Sequence, residues 1–93
     1  LTSLSLSTNN FISGVSLLIL PDADIPSEID YFTKLCSVFT KNNYDIQKSV
    51  LNKCNITPEK IKFSDNNLTI TVGKYNYTII SNTYSITLFC DKV

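Results

Sequence analysis

The sequence predicts a small α+β domain in which an amphipathic helix packs on one face of an antiparallel sheet. Three observations predict it. Apolar residues recur at helical spacing through residues 27–42 and at every second position through residues 60–90, and Asn, Gly and Pro punctuate the periodic segments. At 93 residues the chain has room for one core, so residues 1–93 are read as a single domain.

The N-terminal part predicts a β-hairpin. Residues 1–7 read L-T-S-L-S-L-S, with Leu4 and Leu6 on one face and serines on the other, which suits an edge strand. Thr8-Asn9-Asn10 supplies a turn. Phe11 to Leu20 forms the second strand, with Phe11, Val15, Leu17 and Ile19 on one face. Leu18 and Leu20 make its far end apolar on both sides, which predicts an interior position, and Pro21 ends it.

The helix, about residues 27–42, starts on Ser27 with Asp30 three residues later, and Pro26 stands just outside. Ile25, Ile29, Phe32, Cys36 and Phe39 form its apolar stripe, widened by Tyr31, Leu35 and Val38. Ser27, Asp30, Lys34, Ser37 and Lys41 share the polar side. Lys41-Asn42-Asn43 stops the helix, with Asn suited to the left-handed cap. Ile46, Val50, Leu51 and Cys54 suit a second short helix, about 44–54, capped by Asn43. Thr57-Pro58-Glu59 is then a turn.

From Lys60 the period becomes two. Ile61 and Phe63 predict one strand, Leu68, Ile70 and Val72 a second, Tyr75, Tyr77 and Ile79 a third, and Tyr84, Ile86, Leu88 and Cys90 a fourth. Asp65-Asn66 and Ser81-Asn82-Thr83 are turns. Gly73-Lys74 suits a two-residue type II′ hairpin with Gly in its first central position. The result is a four-stranded antiparallel meander, about residues 60–90.

Composition narrows function more than it defines it. The 43% hydrophobic fraction suffices for a core, and eight lysines balance eight acids with no arginine. Nucleic-acid binding needs a basic excess and favours Arg, so it is not expected here. No apolar run approaches the roughly 18 to 20 residues of a membrane span, and no signal-peptide pattern is visible. Asn, Ser, Thr and Tyr dominate the polar residues, with Glu only at Glu28 and Glu59. That character leans toward an extracellular or virion-surface setting rather than the cytoplasm. Sequons at Asn55, Asn67 and Asn76 are candidate glycosylation sites, although about two are expected by chance from the N-x-[ST] pattern.

Histidine is absent, and with it the usual base for nucleophilic catalysis and the commonest metal ligand. With only Gly14 and Gly73, no phosphate-cradling loop can be built. Cys36, Cys54 and Cys90 match no zinc spacing. They allow one disulfide (36–54, 36–90 or 54–90) with a thiol left over, or else serve as small buried hydrophobes. The acidic group Asp22, Asp24, Glu28 and Asp30 suits a helix N-terminus better than a cation site. No catalytic residue, cofactor, metal or small-molecule site is therefore expected.

What remains is surface. Tyr75, Tyr77 and Tyr84 would form an interface if they face outward, or core if the helix covers them. The strands at 1–7 and 84–90 carry few charges and are the candidate edges, and an unprotected edge invites pairing with another chain. In outline, the hairpin–helix–meander order resembles the roadblock and longin class of scaffold domains. With only the second N-terminal strand it is similar to the cystatin-like arrangement, but the cystatin Q-x-V-x-G hairpin is not found, so protease inhibition is not implied. The expectation is a non-enzymatic protein-interaction or structural module, a homo-oligomer or partner binder acting through a sheet edge or a tyrosine-bearing face. The alternatives are a secreted or virion-surface domain with one disulfide and N-glycans, and a roadblock/longin-like scaffold by topology.

Overall fold

The computed structural model describes the backbone of residues 2–6 and 12–93, with side chains from Gly14 onward. The Thr8-Asn9-Asn10 turn, the placement of Phe11 and the side-chain faces of the first strand lie outside the described residues. Strands β1 (Thr2–Leu6) and β2 (Ile12–Ile19) precede helices α1 (Ile25–Thr40) and α2 (Tyr44–Lys53). Strands β3 (Asn66–Val72), β4 (Tyr75–Ser81) and β5 (Ile86–Lys92) complete the chain. All neighbours are antiparallel, in the order β1-β2-β5-β4-β3. The fold is α+β, with the helices on one face of the sheet.

That order places β2 in the interior, as its two-sided apolar end predicts. It also corrects one expected edge: the segment 84–90 is not an edge, because β2 pairs with β5 from Gly14↔Asp91 to Ile19↔Ile86. The edges are β1, as expected, and β3. The expected four-stranded antiparallel sheet is present as β2, β5, β4 and β3, but only three of these come from the meander. Residues 60–64 are not a strand. Lys60 and Ile61 both donate their N–H to the Thr57 carbonyl at 3.1 Å, closing a turn behind Pro58. Ile61 and Phe63 then drop into the core from a loop, which gives an every-second-residue pattern without a ladder.

Helix α1 begins two residues earlier than its sequence signal. Asp24 is the N-cap residue and Pro26 sits in the first turn, where its missing N–H costs nothing and its fixed φ suits a helix. Ser27 Oγ donates back to the Asp24 carboxylate. At the other end Lys41, at φ 61°, takes the left-handed position expected of Asn. Asn43 caps α2 as expected, its side-chain oxygen accepting the Ile46 N–H at 2.9 Å. The α1 stripe buries Ile29, Phe32 and Cys36, and of the residues expected to widen it Leu35 packs half-buried against the core while Tyr31 and Val38 stay exposed.

Alternation sorts the sheet into two faces. Val15, Leu17 and Ile19 of β2, Ile86, Leu88 and Cys90 of β5, and Tyr77 and Ile79 of β4 point to the helices and are buried. The other face carries Ser16, Thr87, Phe89, Asn76, Thr78 and Thr69. Gly73, at φ +64°, fills the first central position of the β3–β4 hairpin, which only glycine occupies without strain. Gly14 is required for a different reason. A Cβ there would stand 2.2 Å from Asp91 Oδ1 and 2.9 Å from the Cys90 carbonyl across the β2–β5 pair. Gly14→Ala is expected to cost about 1–3 kcal/mol through this overpacking. Asp91→Ala should restore only part of it in a chemical-denaturation series, because the backbone contact remains.

Candidate functional site

The tyrosines do not form one surface. Tyr75 and Tyr77 lie on the helix-facing side of β4, in register with Lys92 and Cys90 of β5. Tyr75 is partly buried, its ring edge-to-face with Phe39 at 5.6 Å. Tyr77 is only 2% exposed, and its hydroxyl accepts from Gln47 Nε2 at 3.0 Å. The other end of that amide accepts from Thr40 Oγ1 at 2.8 Å. This buried chain ties α1, α2 and β4 together. Tyr84 is 79% exposed, but it sits in the turn before β5, where the Asn82 side chain accepts the N–H groups of Tyr84 and Ser85.

The three cysteines converge in the core from α1, the end of α2 and β5, and all three are free thiols. Burial first, then the adjacent Cys90 thiol, pushes the Cys36 thiol far above its ordinary range. Burial pushes Cys54 up to about 11. Burial likewise raises the Tyr77 phenol, against the opposing pull of the Gln47 hydrogen bond. Thiols held neutral and out of water are poor nucleophiles. The folded protein is expected to give no fast reaction with DTNB at pH 8, and three equivalents after unfolding in guanidinium. The sign of the pH effect follows from the same shift. Cys54 titrates from 9.0 ordinarily and about 11 when folded, so its contribution is complete below pH 9 and lost as pH rises to 11. Denaturation midpoints should fall across that window.

Of the acidic group, Asp24, Glu28 and Asp30 lie along the start of α1, and Asp22 precedes it in an exposed turn. Asp24 holds the N-cap position of α1, its backbone carbonyl accepting the Glu28 N–H at 3.0 Å, and Glu28 lies in the first turn. Asp30 accepts from the Tyr44 hydroxyl and pairs with Lys34 at 3.0 Å. The Tyr44 hydrogen bond, then the one from Lys34, holds the Asp30 carboxyl below its usual range. Among the described residues no group of three or more Cys, Asp or Glu could hold a metal ion. Two surface clefts of about 510 and 370 Å³ flank the 54–65 loop, one toward β3 and β4 and the other toward the two helices. The buried Thr57 hydroxyl, without a hydrogen-bond partner, borders the second. Of the sequon asparagines, Asn55 and Asn67 are exposed and Asn76 is half-buried. Asn55 accepts from Lys60 Nζ at 3.1 Å, and Asn76 accepts from the Thr71 hydroxyl.

The remaining feature is the β3 edge. Asn66–Val72 reads N-N-L-T-I-T-V, seven residues with no charge, proline, glycine or bulge. Natural edges usually carry one of these protections. The two-residue hairpin makes Val72↔Tyr75 the hydrogen-bonded closing pair. Alternation along the ladder then leaves the N–H and C=O groups of Asn67, Thr69 and Thr71 pointing away from β4, toward the open side. Leu68, Ile70 and Val72 point to the helix side, where α1 packs chiefly on β2 and α2 on α1, and Ile70 and Val72 reach only the margin of the core and stay half-buried. Leu68 is accordingly 38% exposed. On the opposite face Thr69 and Thr78 hydroxyls meet at 3.0 Å. Sequence reasoning missed this edge, although the absence of charge from 66 to 72 was legible.

No family model, curated protein or solved structure matches this chain. The roadblock and longin outline therefore rests on the order of elements alone and carries no function across.

Proposed function

We propose that this chain is a non-enzymatic interaction module that takes up a partner strand at the β3 edge. The observation that carries the reading is the edge itself: outward-facing backbone groups on a bulge-free, uncharged strand beside half-covered apolar side chains. Strand addition satisfies both at once, because backbone bonds supply affinity while alternate side chains join the sheet faces. A chain without histidine or glycine loops offers little competing chemistry.

A benzophenone side chain introduced at Thr71 tests the proposal. Irradiation of the purified protein and of an extract of its native source should give adducts that disappear in the Thr69→Pro background. Thr69 donates no bond to β4 by the alternation above, so proline there removes an edge donor and leaves the ladder intact. Circular dichroism checks that the fold survives. Adducts absent, or indifferent to Thr69→Pro, would sink the reading.

A further inference from the structure

We infer that the partner strand is β3 of a second copy of this chain, paired antiparallel about a two-fold axis through Thr69. The inference rests on the edge reading above and adds the identity and register of the occupant.

The strand is self-complementary in that register. Thr69 faces Thr69, Leu68 faces Ile70, Asn67 faces Thr71 and Asn66 faces Val72 of the second copy. Every pair joins positions of equal parity, so residues on the helix side meet residues on the helix side. Leu68 and Ile70 close over the apolar strip that the helices leave open. On the other face, the Thr69–Thr78 hydroxyl contact of each copy would join its mate into one continuous row. The outward backbone groups of residues 67, 69 and 71 fall on hydrogen-bonded pairs, giving about six new backbone bonds.

Charge selects the antiparallel direction. Asp65 precedes the strand and Lys74 follows it, both exposed. Pairing about Thr69 sets Asp65 opposite Gly73 and beside Lys74 of the second copy, at both ends of the seam. A parallel arrangement would put like charges together, which opposes pairing. The result is a ten-stranded sheet with the two helix layers on the same face. Two-fold pairing through the same patch is the commonest way identical chains assemble.

Light scattering of the purified protein should give twice the 10.4 kDa chain mass. Thr69→Pro and Thr69→Lys should each weaken dimerisation at least about tenfold with the fold retained. Register is read by single cysteines under oxidised glutathione, which takes up the two hydrogens as two chains join through one disulfide. Thr69→Cys should cross-link, since facing residues in a hydrogen-bonded pair lie about 5.5 Å apart at Cα, within disulfide range. Asn67→Cys and Thr71→Cys should not cross-link singly, because their mates are displaced by about 13 Å along the strands, but the double variant should. The native thiols are buried and stay out of the reaction.

A strictly monomeric protein overturns the inference, as does cross-linking by Thr71→Cys in place of Thr69→Cys. A Thr71 photo-adduct with a different protein, combined with a monomeric purified chain, overturns the second-copy assignment while the strand-addition reading stands. No edge adduct of any kind fails both.

Discussion

Replacing Phe32 by alanine is expected to remove about 3–5 kcal/mol of stability, the largest effect of any single truncation in this fold. Phe32 is 0% exposed and is the largest fully buried side chain among the described residues. It lies in the middle of α1, the helix that packs on β2, so neither helix end can shift to refill the space. A domain of this size holds only about 5–15 kcal/mol in total, so the variant should be partly unfolded at room temperature or melt far below the parent. Urea denaturation reads this directly, with Phe39→Ala as the internal comparison. Phe39 is partly exposed and packs edge-to-face on Tyr75, so its loss should cost less. An equal or smaller loss at Phe32 would mean that the core centre lies elsewhere.

The second large effect concerns polarity inside the core. Gln47 is 0% exposed, and its amide bonds Tyr77 on one side and Thr40 on the other. Gln47→Leu should cost about 2–4 kcal/mol, because it strips partners from hydroxyls that water cannot reach. Thr40 keeps a weaker neighbour in the Asn42 N–H at 3.4 Å, so the Tyr77 hydroxyl bears most of the loss. Tyr77→Phe added to Gln47→Leu removes that stranded hydroxyl and should recover part of the stability. The double-mutant cycle should show clear coupling, since the two side chains touch. Additive losses would contradict the buried chain of hydrogen bonds.

The elements that the sequence announced share a local cause. Ile29, Phe32 and Cys36 repeat at helical spacing, and they are buried because that period presents one face of α1 to the sheet. Asn43 caps α2 through a bond to Ile46 that needs nothing from the rest of the chain. Gly73 and the two-residue loop set the β3–β4 register without reference to other elements. These features are written within four or five residues of themselves, and a linear reading finds them.

Residues 60–64 show where that reading stops. Ile61 and Phe63 have strand spacing, but their segment spans the gap from α2 to β3 and has no strand beside it. The Thr57 carbonyl takes the N–H groups of Lys60 and Ile61, so the spacing reports only which side chains reach the core. Tyr75 and Tyr77 likewise alternate identically whichever face the helices cover. Only docking of α1 and α2 decides that they point inward and Tyr84 does not. The three cysteines, 18 and 36 residues apart, meet only because three different elements aim at the same point.

The β3 edge combines the two kinds of information. Its lack of charge from Asn66 to Val72, its alternation and its hairpin are properties of the sequence alone. Its status as an edge is not. That follows from β2 pairing with β5, a contact between residues about 70 positions apart in the chain, which takes 84–90 into the sheet interior and leaves β3 outermost. The sequence by itself determined the helices, the hairpin turn, the apolar faces and the absence of histidine chemistry, because period, capping and composition are local. Only the tertiary structure decided which strand lies open, because strand order is set by long-range pairing that no local pattern encodes.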